Sequence, residues 1–333
     1  MWLQSWLLDK ASQIIPLNWH KGITNFKFVK NRITLLAFKR DILRRERILF
    51  IVNPISGGED KIRFPEIVDR FLDQKIFDAE IVFSEYGGHA SMLAEEALMQ
   101  EYDCIVAVGG DGTINEVASK MVFSGRKMGI VPCGSGNGLA RTLNIPLIKG
   151  KAVQLLNRNS VRTIDSGKFN DKRFFNVAGL GFDARISALF ADNAQRGLKG
   201  YIVSILKEVS RYKPKVYKLY IDGKQYERKA FMISVANSSQ YGNNAHISPK
   251  ARIDDGLLDV CIIKPFPLYW LPVLIVRMLL KNVDGSKYLE IIKGKEIRIE
   301  QEKPDPVHID GEPLTEIKQI NINVEHLSLK VLV

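Results

Sequence analysis

The sequence predicts an α/β fold followed by a β-rich one. An N-terminal doubly wound parallel sheet is expected over 46–163 and a second, strand-dominated domain over 164–333, whose last segment could return to the first. Three observations predict this. Between residues 48 and 131 short apolar runs alternate with stretches of helical spacing, and the runs end in polar or glycine-rich loops. After about residue 164 that rhythm gives way to strand-like runs. The stretch 103–117 joins an apolar run straight to a helical pattern through Gly109, Gly110 and Gly112, interrupted only by Asp111.

With 333 residues, 46% of them hydrophobic, the chain is long enough for two domains with separate cores. Cys104, Cys133 and Cys261 lie far apart, forming neither a metal cluster nor an even disulfide framework, which favours buried thiols in a reducing compartment. Charge is uneven. Residues 1–47 carry ten Lys/Arg against Asp9, Asp41 and Glu46, a net +7 of the chain's +11. That points to an anionic surface, membrane or nucleic acid. Trp2, Leu3, Trp6, Leu7, Ile14, Ile15 and Trp19, followed by Lys21 and Lys27, favour the membrane, as an interfacial helix too short and interrupted to span. A helix packed on the protein's own body remains the alternative for this extension, 1–45. No signal-peptide pattern is clear.

Ile48–Val52 is a continuous apolar run, as suits a strand covered on both faces, and ends at Asn53-Pro54-Ile55-Ser56-Gly57-Gly58. Helical spacing follows over 61–75, then a strand at Ala79–Phe83, a loop from Ser84 to His89, and a helix over 90–100. The 103–117 stretch supplies the third strand and its helix. Met128–Val131 is the fourth strand, ending in Pro132-Cys133-Gly134-Ser135-Gly136-Asn137-Gly138. Glycines admit close approach of a ligand's phosphates, and the unpaired N–H groups opening a helix attract anions, so 103–117 reads as a nucleotide-phosphate site. Ligands of open parallel sheets bind beyond the strands' carboxyl ends, where the four loops converge.

In the second half, strands are expected at 173–178, 216–221, 230–235, 257–263, 296–300 and 320–324, with Asp222-Gly223 as a hairpin turn. Residues 184–212 have helical character. Leu268–Leu280 is almost wholly apolar but too short to cross a bilayer, and is read as a core helix in preference to a membrane-touching one. No Walker lysine motif and no protein-kinase signature occurs. Gly179-Leu180-Gly181-Phe182-Asp183-Ala184 matches a dinucleotide fingerprint but lacks the acidic strand end that should follow. The five histidines have no metal-like spacing.

An ordered set of motifs carries a resemblance. Asn53-Pro54 with Ser56-Gly57, Gly109-Gly110-Asp111-Gly112-Thr113 with Asn115-Glu116, Pro132 with Gly134-Ser135-Gly136-Asn137, Gly181-Phe182-Asp183, Gly200-Tyr201, Asn237 with Gly242, Pro249, Asp255-Gly256-Leu257-Leu258-Asp259 and Asp310-Gly311-Glu312 together resemble the diacylglycerol kinase catalytic family. The likeness runs from about 47 to 315, with Asn243-Asn244 standing where many relatives have glycines.

The resemblance implies a β-rich sandwich for the second domain, an active site in the cleft between the two, and ATP-dependent transfer of a phosphoryl group to a lipid hydroxyl. It implies that Asn53, Ser56, Gly57, Ser84, Gly109, Gly110, Asp111, Gly112, Thr113, Asn115, Glu116, Ser135, Gly136 and Asn137 hold the nucleotide. Glu312 matches the family's proton acceptor, with Asp310 and Asp111 as further catalytic carboxylates. Asp111 should face Mg²⁺, its waters or a hydroxyl, because like charges repel bare phosphate. A turn-capping role is its structural alternative. Arg252, Asp255 and Leu257 match a structural Mg²⁺ site, and Asp183 is placed near the lipid headgroup. ATP and Mg²⁺ are the implied cofactors. The implied partner is a lipid at a membrane surface, reached peripherally from the cytoplasmic side, with no nucleic acid; oligomeric state is not readable. Diacylglycerol is the favoured acceptor, a sphingoid base or ceramide the nearest rival, and an NAD kinase-like reaction a more distant one.

Overall fold

The computed structural model describes residues 44–58, 61–185, 187 and 208–333. One unit, Arg45–Val333, carries the architecture. The interfacial helix expected near the N-terminus lies outside the described residues, as do Gly200-Tyr201 and most of the helix expected over 184–212.

The first half is built on β1 (Glu46–Val52), β2 (Phe77–Phe83), β3 (Cys104–Gly109) and β4 (Lys127–Pro132), all parallel, in the order β4-β3-β1-β2. Ile48 pairs with both Ala79 and Cys104, and the apolar runs of β1 and β3 are fully buried, as central strands should be. The helices are α1 (Phe64–Phe71), α2 (His89–Met99), α3 (Asp111–Met121), the short α4 (Gly138–Thr142) and α5 (Lys149–Leu156). From β1 the chain moves one way to β2, then back across β1 to β3 and on to β4. Right-handed crossovers therefore put α1 on one face and α2 and α3 on the other. The packing agrees: α2 lies against α3, and α1 against α5. The direction of winding reverses between β1 and β3, which is where such sheets open a crevice for ligand.

The second half is antiparallel: β5 (Val161–Phe169), β6 (Lys172–Phe174), β7 (Val177–Gly181), β8 (Lys215–Ile221), β9 (Lys224–Ala230), β10 (Met232–Ala236), β11 (Leu258–Ile263), β12 (Leu289–Gly294), β13 (Glu296–Ile309) and β14 (Glu312–Leu332), with α6 (Leu271–Leu279). The main path runs β12-β11-β10-β7-β13-β14, and the β8–β9 and β5–β6 hairpins branch from β13 and β14. Between these layers lies a second core containing Phe169, Phe174, Leu180, Tyr217, Ile233 and Ile299. Asp222 (φ 47°) and Gly223 (φ 78°) make the expected two-residue hairpin turn. The end of β14 leaves this layer and pairs in parallel with β4 at Lys330–Lys127 and Val331–Met128, so one hydrogen-bonded sheet runs through both halves.

Two expectations are corrected. The strand expected over 173–178 is split into β6 and β7, because Phe175, Asn176 and Val177 donate their N–H groups to the carboxylate of Asp310 and not to a neighbouring strand. The apolar segment 268–280 is not a core helix. Leu274 alone is fully buried along α6, while Tyr269 is 76%, Val276 50% and Leu280 67% exposed. None of the described helices is long and apolar enough to cross a membrane.

Candidate active site

The loops beyond β1, β3 and β4 lock together through glycines and main-chain contacts. Asn53 donates from its side chain to Thr113 Oγ1 (3.0 Å), and its Oδ1 accepts from the N–H of Ile55, closing a tight turn. Ser56 Oγ donates to the Asn53 carbonyl (3.3 Å), and the buried Lys61 ammonium holds the carbonyl of Ser56. Gly57 sits at φ 72°, where a Cβ would stand 1.8 Å from the Cys133 carbonyl oxygen, so only glycine fits between these loops. Cys133 N–H donates to the Gly109 carbonyl (2.7 Å). Ser135, at the tip of the β4 loop, is exposed.

Asp111 opens α3 and reaches across to that loop. Its two oxygens accept the N–H groups of Asn137 (2.8 Å) and Gly138 (2.9 Å), so it caps the short α4 from across the loop. Asn137, at φ 51°, folds the loop on itself through two bonds with Gly134, and Arg141 Nε donates to the Gly136 carbonyl. Burial, and the charge of Asp310 nearby, push the Asp111 carboxyl above its usual range, while the two amides pull it back.

Asp310 joins the halves. It is held at φ 50°, and its carboxylate accepts from Phe175 N–H (2.9 Å), Asn176 N–H (2.8 Å), Val177 N–H (3.1 Å) and the side chain of Asn115 (2.8 Å) on α3. The Asn115 amide also donates to the carbonyl of Arg173 (3.0 Å). Asn115, placed in the nucleotide set by its motif, thus anchors the second domain. Glu116, its neighbour, accepts from Gly88 N–H (3.0 Å) and fixes the loop after β2, which begins at the buried Ser84.

Glu312 is the third carboxylate. It begins β14 at the mouth of an open cleft of about 480 Å³ lined also by Gly88, Asn115, Glu116, Lys120, Lys172 and Arg173. A Cβ on Gly112 would meet Glu312 Oε1 at 2.3 Å, so the third glycine of the motif is what lets this acid lie against the start of α3. The side chain is open to water on one side and has no hydrogen-bond partner among the described residues. The surrounding protein, with Glu116 and Asp310, pushes its carboxyl above the usual range, and Lys172 pulls the other way. Of the three carboxylates, only Glu312 keeps its oxygens unspent.

Asp183 stands on the other side of β7, in the second domain. Its Oδ2 accepts from Ser234 Oγ (2.8 Å) and Tyr241 OH (2.9 Å) and lies 3.0 Å from Nε2 of the buried His308. His308 Nδ1 in turn accepts from Gly311 N–H (3.3 Å), tying this cluster to the turn that carries Glu312. Ser234, Tyr241 and His308, like the cleft-lining Lys120, Lys172 and Arg173, escaped sequence reasoning because no motif spacing marks them.

The Asp255 turn lies in the second domain, beside β11. Gly256 N–H donates to the buried Asp165 (2.7 Å), Leu257 N–H donates to Asp255 Oδ1 (3.2 Å), and Asp255 Oδ2 is 3.4 Å from the Lys293 ammonium, which also binds Asp259 (2.8 Å). The Arg252 side chain faces Asp254 at 3.5 Å. One carboxylate with main-chain carbonyls of 252 and 257 is an all-oxygen donor set of the kind a hard cation accepts. Here Lys293 already supplies a positive charge to it.

Replacing Asp310 with alanine leaves three N–H groups and one amide without their acceptor. Each such buried orphan costs about 1–3 kcal/mol, not additively. Asp310→Ala is therefore expected to lose about 3 kcal/mol or more in urea unfolding, and Asp310→Asn less, since its remaining oxygen still accepts. Unchanged unfolding of the alanine variant would show that the clamp is dispensable.

Comparison with known proteins agrees with this architecture. Residues 47–169 match the model of the diacylglycerol kinase catalytic domain, and 176–333 that of the YegS C-terminal NAD kinase β-sandwich-like domain. The chain is 31% identical over 274 residues to a Klebsiella pneumoniae protein named "Probable lipid kinase YegS-like", covering 80% of this chain and 89% of that one. It is 26% identical over 280 residues to a diacylglycerol kinase of Bacillus subtilis, covering 81% and 90%. A Bacillus anthracis crystal structure titled as that of "a putative diacylglycerol kinase" superposes with a TM-score of 0.72 at 25% identity, covering 86% of this chain and 95% of that one. The chain belongs to the diacylglycerol kinase catalytic family of lipid kinases, in the branch whose second domain is the YegS-type sandwich.

Proposed function

We propose that the protein transfers the γ-phosphoryl group of ATP to a lipid hydroxyl, most favourably that of diacylglycerol, giving phosphatidic acid. The observation that carries this reading is the unspent, up-shifted carboxylate of Glu312 lying over Gly112, where the glycine loops of three parallel strands converge. In this reading the phosphates of ATP lie along the main-chain N–H groups near Gly57, Gly110 and Gly134–Gly136, with Asn53, Ser56 and Thr113 shaping that cradle and Ser84 and Glu116 bordering it. Glu312 takes the proton of the acceptor hydroxyl, the freed oxygen attacks the γ-phosphorus, and the bond to the β-phosphate oxygen breaks to release ADP.

When bound beside Asp111, Mg²⁺ would offset the charge gathering on the phosphates. Asp111, each of whose oxygens accepts a single main-chain N–H, keeps a lone pair on each for the ion or its waters. A second Mg²⁺ at Asp255 and the carbonyls of Arg252 and Leu257 would stiffen that turn once Lys293 is displaced. Asp183, held by Ser234 and Tyr241, borders the acceptor's headgroup.

Labelled ATP offered with diacylglycerol, sphingosine, ceramide, NAD and glycerol tests the reading. Label should enter diacylglycerol; label in NAD and in no lipid would overturn it, and label in sphingosine alone would move it to the sphingoid-base rival. Glu312→Gln should fold and bind ATP normally yet lose turnover by about 10² to 10⁴-fold, the usual worth of a general base; near-normal turnover places the base elsewhere.

Gly112→Ala offers a separate check. The added methyl meets only the end of the flexible Glu312 side chain, and alanine favours a helix by about 1 kcal/mol over glycine. The variant should be as stable as the parent, with turnover reduced by about 10²-fold from a displaced base. Full activity would show that the Gly112–Glu312 contact is incidental.

A base with a raised pKa is lost as pH falls through that raised value. The acid limb of kcat/KM should therefore lie above the range of an ordinary glutamate, about 4.3. Lys172 opposes the shift, so Lys172→Met should move the limb further up. A limb that stays put, or moves down, refutes Glu312 as the titrating base.

A further inference from the structure

The helix α6 presents a face that none of the described residues covers. Leu271, Leu274 and Met278, spaced i, i+3 and i+7, point into a third apolar core with Phe182, Phe231 and Ile247. Apart from Arg277 the remaining positions are apolar as well. Val273, Val276 and Leu280 form one outward ridge, and Pro272, Ile275 and Leu279 the next, each residue exposed. Leu268 and Tyr269, just before the helix, extend the patch, with Tyr269 the most exposed at 76%.

The rim of this patch is cationic. Residues 264–283 contain no acidic side chain. The two acids that follow are already neutralised, Asp284 by Lys250 (2.8 Å) and Glu290 by Arg228 (2.9 Å) and Lys264 (3.1 Å). Arg277, Lys281 and Lys287 have no carboxylate partner among the described residues, and Lys287 lies 5.9 Å from the ring of Trp270 and 5.1 Å from that of Tyr288. Apolar ridges, a tyrosine and a tryptophan at the margin, and unpaired lysines and arginines are what a helix lying in a bilayer interface requires. A second copy of the chain fits less well. A two-fold contact through this face would set the same unpaired cations against one another.

The position of the face also suits such a surface. His246 N–H donates to the Met278 carbonyl of α6 (3.1 Å), and at the other end of the same loop Asn243 N–H donates to the Gly136 carbonyl (3.3 Å). One short loop thus separates the exposed helix from the glycine loop assigned to ATP.

We propose that the outward face of α6, with Leu268 and Tyr269, docks on a bilayer containing anionic phospholipid and so brings the cleft to its acceptor; this rests on the lipid-kinase reading given above. The test compares the full chain with Ile275→Ser/Val276→Ser/Leu279→Ser on vesicles of phosphatidylcholine with phosphatidylglycerol. All three residues are exposed, so the variant should keep its circular dichroism and melting midpoint. It should bind these vesicles about tenfold or more weakly and lose activity on long-chain diacylglycerol embedded in them, yet turn over a soluble short-chain diacylglycerol within about twofold of the parent. Parent-like vesicle binding and activity would overturn the proposal, as would a dimer that the variant merely dissociates.

A second measurement is independent of any other segment that touches lipid. With Trp2→Phe, Trp6→Phe and Trp19→Phe, Trp270 is the sole tryptophan, and brominated phospholipid should quench it. Absence of quenching overturns the docking face. A parent that phosphorylates diacylglycerol without that quenching removes the docking proposal alone, whereas quenching with no lipid ever phosphorylated supports docking and removes the kinase reading.

Discussion

The Asp310 carboxylate is the constraint on which the arrangement of the cleft depends. Four N–H donors reach it, three from the backbone of 175–177 where the chain passes from β6 into β7 and one from Asn115 on α3. A buried carboxylate without donors would be costly, and so would three amides stripped of their strand partners; each group resolves the other's deficit. The result is a link between the two halves that does not rely on apolar packing. It also sets the chain direction. Asp310 at φ 50° and Gly311 at φ 89° turn β13 into β14, and the next residue, Glu312, is delivered onto Gly112.

Three acids within one site thereby take different work from their surroundings. Asp111 binds loop to helix within the first domain, Asp310 binds domain to domain, and Glu312 faces the cleft. All three are pushed toward protonation by burial, and Asp111 and Glu312 also by the charge of Asp310. In Asp111 and Asp310 main-chain and amide donors counter that push, whereas Glu312 has only Lys172 against it. A proton acceptor needs this combination: an affinity for protons raised above that of a free carboxylate, and oxygens not already committed to donors.

The parts that were legible in the sequence are those where one local pattern decides the outcome. The runs Ile48–Val52 and 104–109 are apolar throughout because both faces of their strands are covered, and the glycines after them are required where two backbones touch, as at Gly57 beside Cys133. Asn243 and Asn244, at φ 49° and 61°, adopt the left-handed conformation that asparagine tolerates better than other non-glycine residues. Strand β5 was not legible, because Asp165 and Ser166 lie buried within it and break its alternation: Asp165 binds Gly256, His326 and Leu327, partners separated from it by 91 to 162 residues. The role of Asn115 and the His308–Asp183–Tyr241 cluster were hidden for the same reason. Nor does periodicity tell a helix that is buried all round from α6, which is apolar all round and half exposed. Only its neighbours decide that.

The continuity of the sheet bears on how the cleft works. Strand β14 starts at Glu312 in the site and ends paired with β4, the innermost support of the glycine loop at 133–138, while β5 accompanies it from Ile322 to Leu332. Arg173 adds a two-point ion pair to Glu325 along the way, at 2.7 and 3.0 Å. A swing of one half against the other would have to bend these paired strands. Glu312 and the glycine loops are therefore tied to one another through a continuous run of hydrogen-bonded strands.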